Sequence, residues 1–350
     1  MKTTKRQAVP KHGDLNRLPA DLLVWFDRHG RDLPWRTALG ERRDPYRVWL
    51  AEIMLQQTTI PHGTPYFYAF TKRWPTVGAL AAAKDEDVMA AWAGLGYYAR
   101  ARNLLKCARE IAARGSWPEM AAELKKLPGI GPYTAGAIAA IAFNQPAAAV
   151  DGNVDRVFAR LLALKGEWAE EKKRLHAEVE RLVPADRPGD FAEALMDLGA
   201  TVCTPTRPNC LICPLSAYCV AKAEGEPERY PIKPPKKVKP IRRGVAFVAV
   251  HKGEVLLQRR PDKGLLGGMA GLPTSDWVER ERSDPAPPFK AEWQEIGEVR
   301  HVFTHFDLRL TVQRTDLLRR PADADGFWVP LAEVEGLPSV FAKALKLGTI

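Results

Sequence analysis

The sequence has no apolar stretch able to cross a bilayer and no apolar segment near its first residue. Its most hydrophobic run, Ala135 to Phe143, falls far short of the ~20 residues a membrane-spanning helix needs. The opening "MKTTKRQAVPKHGDLNR" is polar and basic, unlike a secretory signal. Together these absences predict a cytoplasmic protein that does not use membranes. No repeat of fixed period runs along the chain, which sets aside solenoids and propellers.

Cysteine is scarce as well, with five in 350 residues, but its distribution is uneven. Cys107 stands alone in "NLLKCAREIAA", the setting of a buried structural thiol. Cys203, Cys210, Cys213 and Cys219 form a C-x6-C-x2-C-x5-C run. In a reducing compartment such a group is a metal site before it is a disulfide set. Four thiolates drawn from so short a loop need a cation to offset their repulsion. The uneven spacing and the lack of a histidine within the run favour a cubane iron–sulfur cluster, with structural zinc as the alternative.

What the chain has in excess is positive charge. Its 52 Lys and Arg outnumber 42 Asp and Glu, for a formal net charge of +10. The basic residues are spread along the chain, which points to a polyanion such as DNA over an acidic membrane surface. The length suits about two domains. Residues 15–223 read as helical, with apolar residues at three- and four-residue spacing between proline and glycine breaks. Asp44 is the expected N-cap of a helix that opens at Pro45 and continues through "YRVWLAEIMLQQTT". Residues 224–243, "EGEPERYPIKPPKKVKPIRR", read as an extended basic linker. Beyond it the period switches to two. "GVAFVAV" and "EVLLQRR" flank "HKG" as a hairpin, and "HVFTHFDLRLTVQRT" alternates like one longer strand. The helix "SVFAKALKL" closes an expected α+β domain over 244–350.

Chemistry concentrates in three places. Residues 119–143 contain "LKKLPGIGPYTAGAIAAIAF", a helix, a tight turn at Gly129 and Gly131, and a second helix opening at Pro132. Such a hairpin offers backbone amides and a helix N-terminus to a phosphate; a plain helical turn, the alternative, would need no second glycine. Asp151 precedes a helix, where capping alone would account for it. Glu52 is less ordinary, because its helix face also carries Val48, Trp49, Leu55 and Gln56. An apolar setting raises a carboxyl's pKa and keeps it protonated, as a general acid requires.

The succession "LPWR", "AEIMLQQT", "GLGYYARARNL", "LPGIGPYTAG", "VDGNVDRV", "FAEALMDLGATVC" and the four-cysteine loop resembles the MutY-type adenine DNA glycosylases. These belong to the helix-hairpin-helix superfamily that includes endonuclease III. The resemblance covers about Leu15 to Cys219 and continues more weakly through a Nudix-related C-terminal domain. It implies a multidomain protein: a mostly α-helical glycosylase domain (15–223) with an iron–sulfur loop (203–219), a linker, and a Nudix-like lesion-recognition domain (244–350).

The resemblance also implies roles. Glu52 matches the general acid that protonates a flipped adenine, and Asp151 the carboxylate that stabilises the oxocarbenium-like sugar. Tyr133 and Asn153 match their helpers. Arg31, Trp35, Arg36, Leu55 and Glu193 match the adenine pocket. Gln57, Thr58 and Tyr97 match DNA contacts, with Gln57 and Tyr97 as wedges in the duplex, and Phe303, Thr304 and His305 match a Phe-Ser-His loop that recognises 8-oxoguanine. The four cysteines match the ligands of a [4Fe-4S] cluster. The implied partner is double-stranded DNA carrying adenine opposite 8-oxoguanine or guanine, bound by a monomer in the nucleoid. Tyr133 stands where lyase relatives carry a nucleophilic lysine, and it cannot form an imine, so a monofunctional glycosylase is expected. Another enzyme of the same superfamily (an endonuclease III-like lyase acting on oxidised pyrimidines, or a thymine-mismatch glycosylase), a non-catalytic DNA-binding module and a Nudix hydrolase are the competing readings. Tyr133, the Glu52–Asp151 pair and the missing Nudix glutamate cluster argue against them in turn.

Overall fold

Helical spacing punctuated by proline and glycine yields short helices, and the switch to period two yields a sheet. The computed structural model describes residues 14–38, 41, 43–232, 238–261, 264–279 and 286–349. Internal contacts group the chain into two units. One is Met1–Asp85 with Arg102–Pro235; the other is Lys236–Ile350 together with Glu86–Ala101. Among the described residues no helix is long and apolar enough to cross a membrane.

The helices in chain order are α1 (Leu18–His29), α2 (Pro45–Met54), α3 (Ile60–Arg73), α4 (Val77–Ala81), α5 (Asp85–Ala91), α6 (Ala99–Arg114), α7 (Ala121–Leu124), α8 (Pro132–Phe143), α9 (Gly152–Leu161), α10 (Trp168–Leu182), α11 (Pro188–Thr201) and α12 (Val220–Ala223). α2 starts as expected, with the Asp44 carboxylate accepting from the Tyr46 N–H at 2.9 Å and Pro45 at the first turn. It stops at Met54, short of the expected "LQQTT", because the chain turns sharply there and Gln57 takes a left-handed φ of 59°. α8 is apolar all round and sits centrally, buried from Thr134 to Ile141 against α2, α7 and α11. Leu22, Val154, Phe158, Leu175, Phe191 and Leu198 form a core beside it, and Tyr230 packs into the same core. The stretch expected as a linker is therefore partly structured. Tyr230 is buried with its hydroxyl on Glu224, and the next unit's first strand already begins at Ile241.

In the second unit, β1 (Ile241–His251) and β2 (Glu254–Arg259) pair antiparallel about Lys252-Gly253, both at positive φ as a tight hairpin turn demands. β3 (Ala270–Gly271), β4 (Gln294–Val302), β5 (Asp307–Asp316) and β6 (Phe327–Pro330) complete the mixed sheet, in the order β3-β2-β1-β5-β4 with β6 on β2. β1 and β5 run parallel, from Ile241 opposite Asp307 onward. The segment expected as one long strand is instead the β4–β5 hairpin. The Phe303 N–H donates to the Phe306 carbonyl at 2.9 Å, closing the turn that an unbroken alternation of residue types conceals. α13 (Ser339–Gly348) buries Val340, Phe341 and Ala344 against the sheet.

An ionic layer fixes the irregular stretch after α1 to α11. Asp190, Glu193 and Asp197 share one face of α11 at helical spacing. Fully buried Asp197 accepts from the Arg31 N–H at 2.8 Å, Arg31 Nε at 2.7 Å and both Arg36 terminal nitrogens at 2.8 Å. Glu193 pairs with Arg36 at 3.2 Å and Arg43 at 2.9 Å, while Asp190 pairs with Arg43 and Arg187. Burial alone would raise Asp197, but Arg36 and Arg31 outweigh it and hold the carboxyl below its ordinary range. Asp197→Asn takes the carboxylate from Arg31 and leaves Arg36 to Glu193 alone, and should cost about 3–5 kcal/mol in urea unfolding of the helical unit. A loss below about 1 kcal/mol, the worth of an exposed pair, would contradict this account of the layer.

Candidate active site

A cavity of about 430 Å³ opens in the first unit where α2, α8, α9 and α11 meet the Arg31–Arg36 loop. Its lining includes Arg31, Trp35, Arg36, Glu52, Leu55, Gln57, Thr58, Tyr133, Asp151, Asn153 and Glu193. The first unit thus brings every expected acid, helper and pocket residue to one place. Val48 and Glu52 reach it from successive turns of α2 and Leu55 from its C-cap, while Trp49, Leu50 and Ile53 of the same helix face the core. Trp35 is braced edge-on by Phe67, with ring centroids 5.4 Å apart.

The two carboxyls experience opposite surroundings. Burial pushes Glu52 up to about 7; the Tyr133 hydroxyl and Arg36 act against this, and the charges of Asp151 and Glu193 reinforce it. Burial also raises Tyr133 well above a free phenol, so it remains a hydroxyl donor facing Glu52. Asp151 does cap α9: one oxygen accepts from the Asn153 and Val154 N–H groups, each at 2.8 Å. Its other oxygen accepts from Asn153 Nδ2 at 2.8 Å. Three donors converge on it, and the cap and the candidate catalytic group are one side chain.

Asn153 is held in turn. Its Oδ1 accepts from Arg156 Nη2 at 2.8 Å, and Arg156 also donates to the Gly199 carbonyl at 2.7 Å and the Cys203 carbonyl at 2.8 Å. Gly199 leaves room for this packing, since a Cβ there would lie 2.6 Å from Asn153 Cβ and 3.2 Å from its Cα. Sequence reasoning missed Arg43, Arg156, Asp197 and Gly199. Only the spacing of acids along α11 carried a hint, because pairing across 160 residues leaves no local signature.

The remaining candidates are not among the residues that line the cavity. In the hairpin before α8, Gly129 has φ 76° and its missing Cβ would meet Asn103 at 2.8 Å. Gly131 caps α8 without a side-chain partner, and a Cβ on it would point into open space. The helix N-terminus there is accessible to a phosphate. Cys203, Cys210, Cys213 and Cys219 are free thiols around one small pocket, with Arg160 Nη1 3.3 Å from the Cys203 sulfur. Burial pushes Cys213 up to about 12, and the neighbouring cysteines add to it. In the second unit, Tyr97 is exposed at φ 50°, and Phe303 stacks on Trp277 at 5.7 Å and 29°. Thr304 and His305 project from the β4–β5 turn. Trp49 and Trp92 are wholly buried.

Comparison with known proteins agrees with this architecture. Residues 50–185 match the HhH-GPD superfamily of base excision DNA repair proteins, and residues 245–347 match the NUDIX domain. The chain is 36% identical to the adenine DNA glycosylase of Homo sapiens over 83% of its own length and 65% of that protein's. It spans 57% of the Arabidopsis thaliana relative, at 36% identity. With the adenine DNA glycosylase of Buchnera aphidicola from Schizaphis graminum the identity is 30%, over 93% of this chain and 97% of the other. Among solved structures, a thermostable thymine-DNA glycosylase superposes with a TM-score of 0.54 at 29% identity, covering 60% of this chain and all of that one. A helix-hairpin-helix unit followed by a Nudix-like unit, matched along nearly its whole length by such relatives, places the chain in the adenine DNA glycosylase family.

Proposed function

We propose that the protein is a monofunctional glycosylase that hydrolyses the N-glycosidic bond of adenine mispaired with 8-oxoguanine or guanine in duplex DNA. The observation that carries this reading is the pairing of Glu52, raised to about 7, with the triply hydrogen-bonded Asp151 in one cavity. Two carboxyls in unlike environments are what glycosidic bond cleavage requires. The adenine is flipped out of the stack into the cavity, where Trp35 and Leu55 face its ring and Arg31, Arg36 and Glu193 its polar edge. Glu52 gives its proton to a ring nitrogen of the base. The bond from base to sugar then breaks, its electron pair leaving with adenine. Asp151 faces the cationic sugar, stabilising it or bonding to it transiently, and water completes the hydrolysis. Asn153 orients Asp151, and Tyr133 hydrogen-bonds Glu52. Because Tyr133 occupies the lyase position, the product is an abasic site with its strand intact.

The donor set of Cys203, Cys210, Cys213 and Cys219 fits a [4Fe-4S] cluster. Four free thiols line one pocket, and burial raises Cys210, Cys213 and Cys219, a set that a bound cation would hold as thiolates. Bound there, the cluster supplies a crosslink for the loop. Gln57 and Tyr97 are read as wedges in the opened duplex, and Phe303, Thr304 and His305 as contacts to the oxidised guanine on the opposite strand. The enzyme would act as a monomer in the nucleoid.

Glu52→Gln keeps the shape but not the proton, so single-turnover excision should fall roughly 10²–10⁴-fold while mismatch binding persists. Excision within tenfold of wild type would remove Glu52 from this role. The acid form is lost as pH rises through about 7, so the wild-type rate should decline on that alkaline side. Anaerobically purified protein should contain about four irons per chain; stoichiometric zinc would contradict the cluster. Phe303→Ala with His305→Ala should lower the ratio of excision on 8-oxoguanine:adenine over guanine:adenine by about tenfold or more at fixed salt. An unchanged ratio would reduce the second unit to a scaffold.

A further inference from the structure

Tyr97 presents a mechanical problem. A wedge must stand away from the protein, and Tyr97 is 55% exposed. Yet its backbone sits at φ 50°, after Gly94 at 100° and Gly96 at 70°. Glycine adopts such angles freely, whereas a tyrosine there is held in a sparsely populated conformation. Something must brace the turn, or the ring would relax onto the surface when DNA is absent.

We infer that Arg100 is the positioning residue of Tyr97, its guanidinium bridging the buried Trp92 and the exposed tyrosine so that the ring stays extended toward DNA. The guanidinium carbon lies 5.3 Å from the Trp92 ring centroid and 5.5 Å from that of Tyr97. Nη2 donates to the Leu95 carbonyl at 3.0 Å and the Gly96 carbonyl at 3.3 Å. The same Gly96 carbonyl accepts from Trp92 Nε1 at 3.0 Å, and the Arg100 N–H donates to the Tyr97 carbonyl at 2.8 Å. Trp92 is fully buried, so it anchors the arrangement to the core. Burial lowers Arg100 to about 10, which leaves it charged at neutral pH. A planar fork can lie against two rings and still reach two carbonyls. A lysine ammonium on a flexible stem cannot do both.

This inference rests on the reading of Tyr97 as a wedge, and one experiment separates the two. The full chain is bound to a duplex whose mispaired adenosine carries a 2′-fluorine, which destabilises the cationic sugar and stops hydrolysis. A 2-aminopurine beside the 8-oxoguanine brightens when a wedge unstacks it. Wild type should give the rise, and Tyr97→Ala should lose it. Arg100→Ala and Arg100→Lys should fall to the Tyr97→Ala level, and Tyr97→Ala with Arg100→Ala should fall no further. Arg100→Lys keeps the charge, so its affinity for undamaged duplex should stay near wild type; it carries the test should Arg100→Ala not fold. A full rise in Arg100→Lys where Tyr97→Ala has lost it overturns the inference and leaves the wedge standing. A rise that survives Tyr97→Ala overturns both.

Discussion

The structure turns on keeping a proton on Glu52 at neutral pH beside a second carboxyl, Asp151. A carboxyl loses solvation when buried, which favours its neutral form, and the Asp151 and Glu193 charges push the same way. Arg36, also near Glu52, would undo this if it were free. It is instead occupied by Asp197 and Glu193. The ion layer on α11 therefore does two things at once: it pins the Arg31–Arg36 loop to form one wall of the cavity, and it neutralises the arginines of that wall. A buried ion pair is weak grounds for stability alone. Here its placement accounts for why so many charges lie around a site built to hold an uncharged acid.

Asp151 is held in place by backbone geometry. An N-cap aspartate is fixed by helix amides that cannot turn away, and Asn153 from the same first turn takes the other oxygen. The chain of contacts then runs through Arg156 to the Cys203 carbonyl, while Arg160 reaches the Cys203 sulfur. The loop that carries the four cysteines and the helix that carries the candidate nucleophilic face are thus joined by two arginines one turn apart on α9.

Much of this was legible in the sequence. Asp44-Pro45 marked the start of α2, "HKG" marked the β1–β2 turn, and the apolar company of Glu52 foretold its raised pKa. The four-cysteine spacing stood out because thiols in a short loop have few other uses. What escaped was of two kinds. Strand alternation continues through Phe303-Thr304-His305, so periodicity could not show that the chain reverses there. Long-range partners leave no local trace either. Asp197 meets Arg31 and Arg36 across more than 160 residues, and Gly199 matters only because Asn153 approaches it in space. The prolines after Ala223 suggest an extended linker, but Tyr230 packs into the helical core and docks the first part of the stretch there.

The central claim is that this fold, before DNA binds, already holds Glu52 protonated near neutrality. The most direct measurement is the titration of the Glu52 side-chain carboxyl by carbon-13 NMR in the free protein, assigned by loss of the signal in Glu52→Gln. A midpoint near 7 is predicted. A midpoint at the ordinary 4.5 would mean that the cavity does not tune its acid, and the account of the site would be wrong.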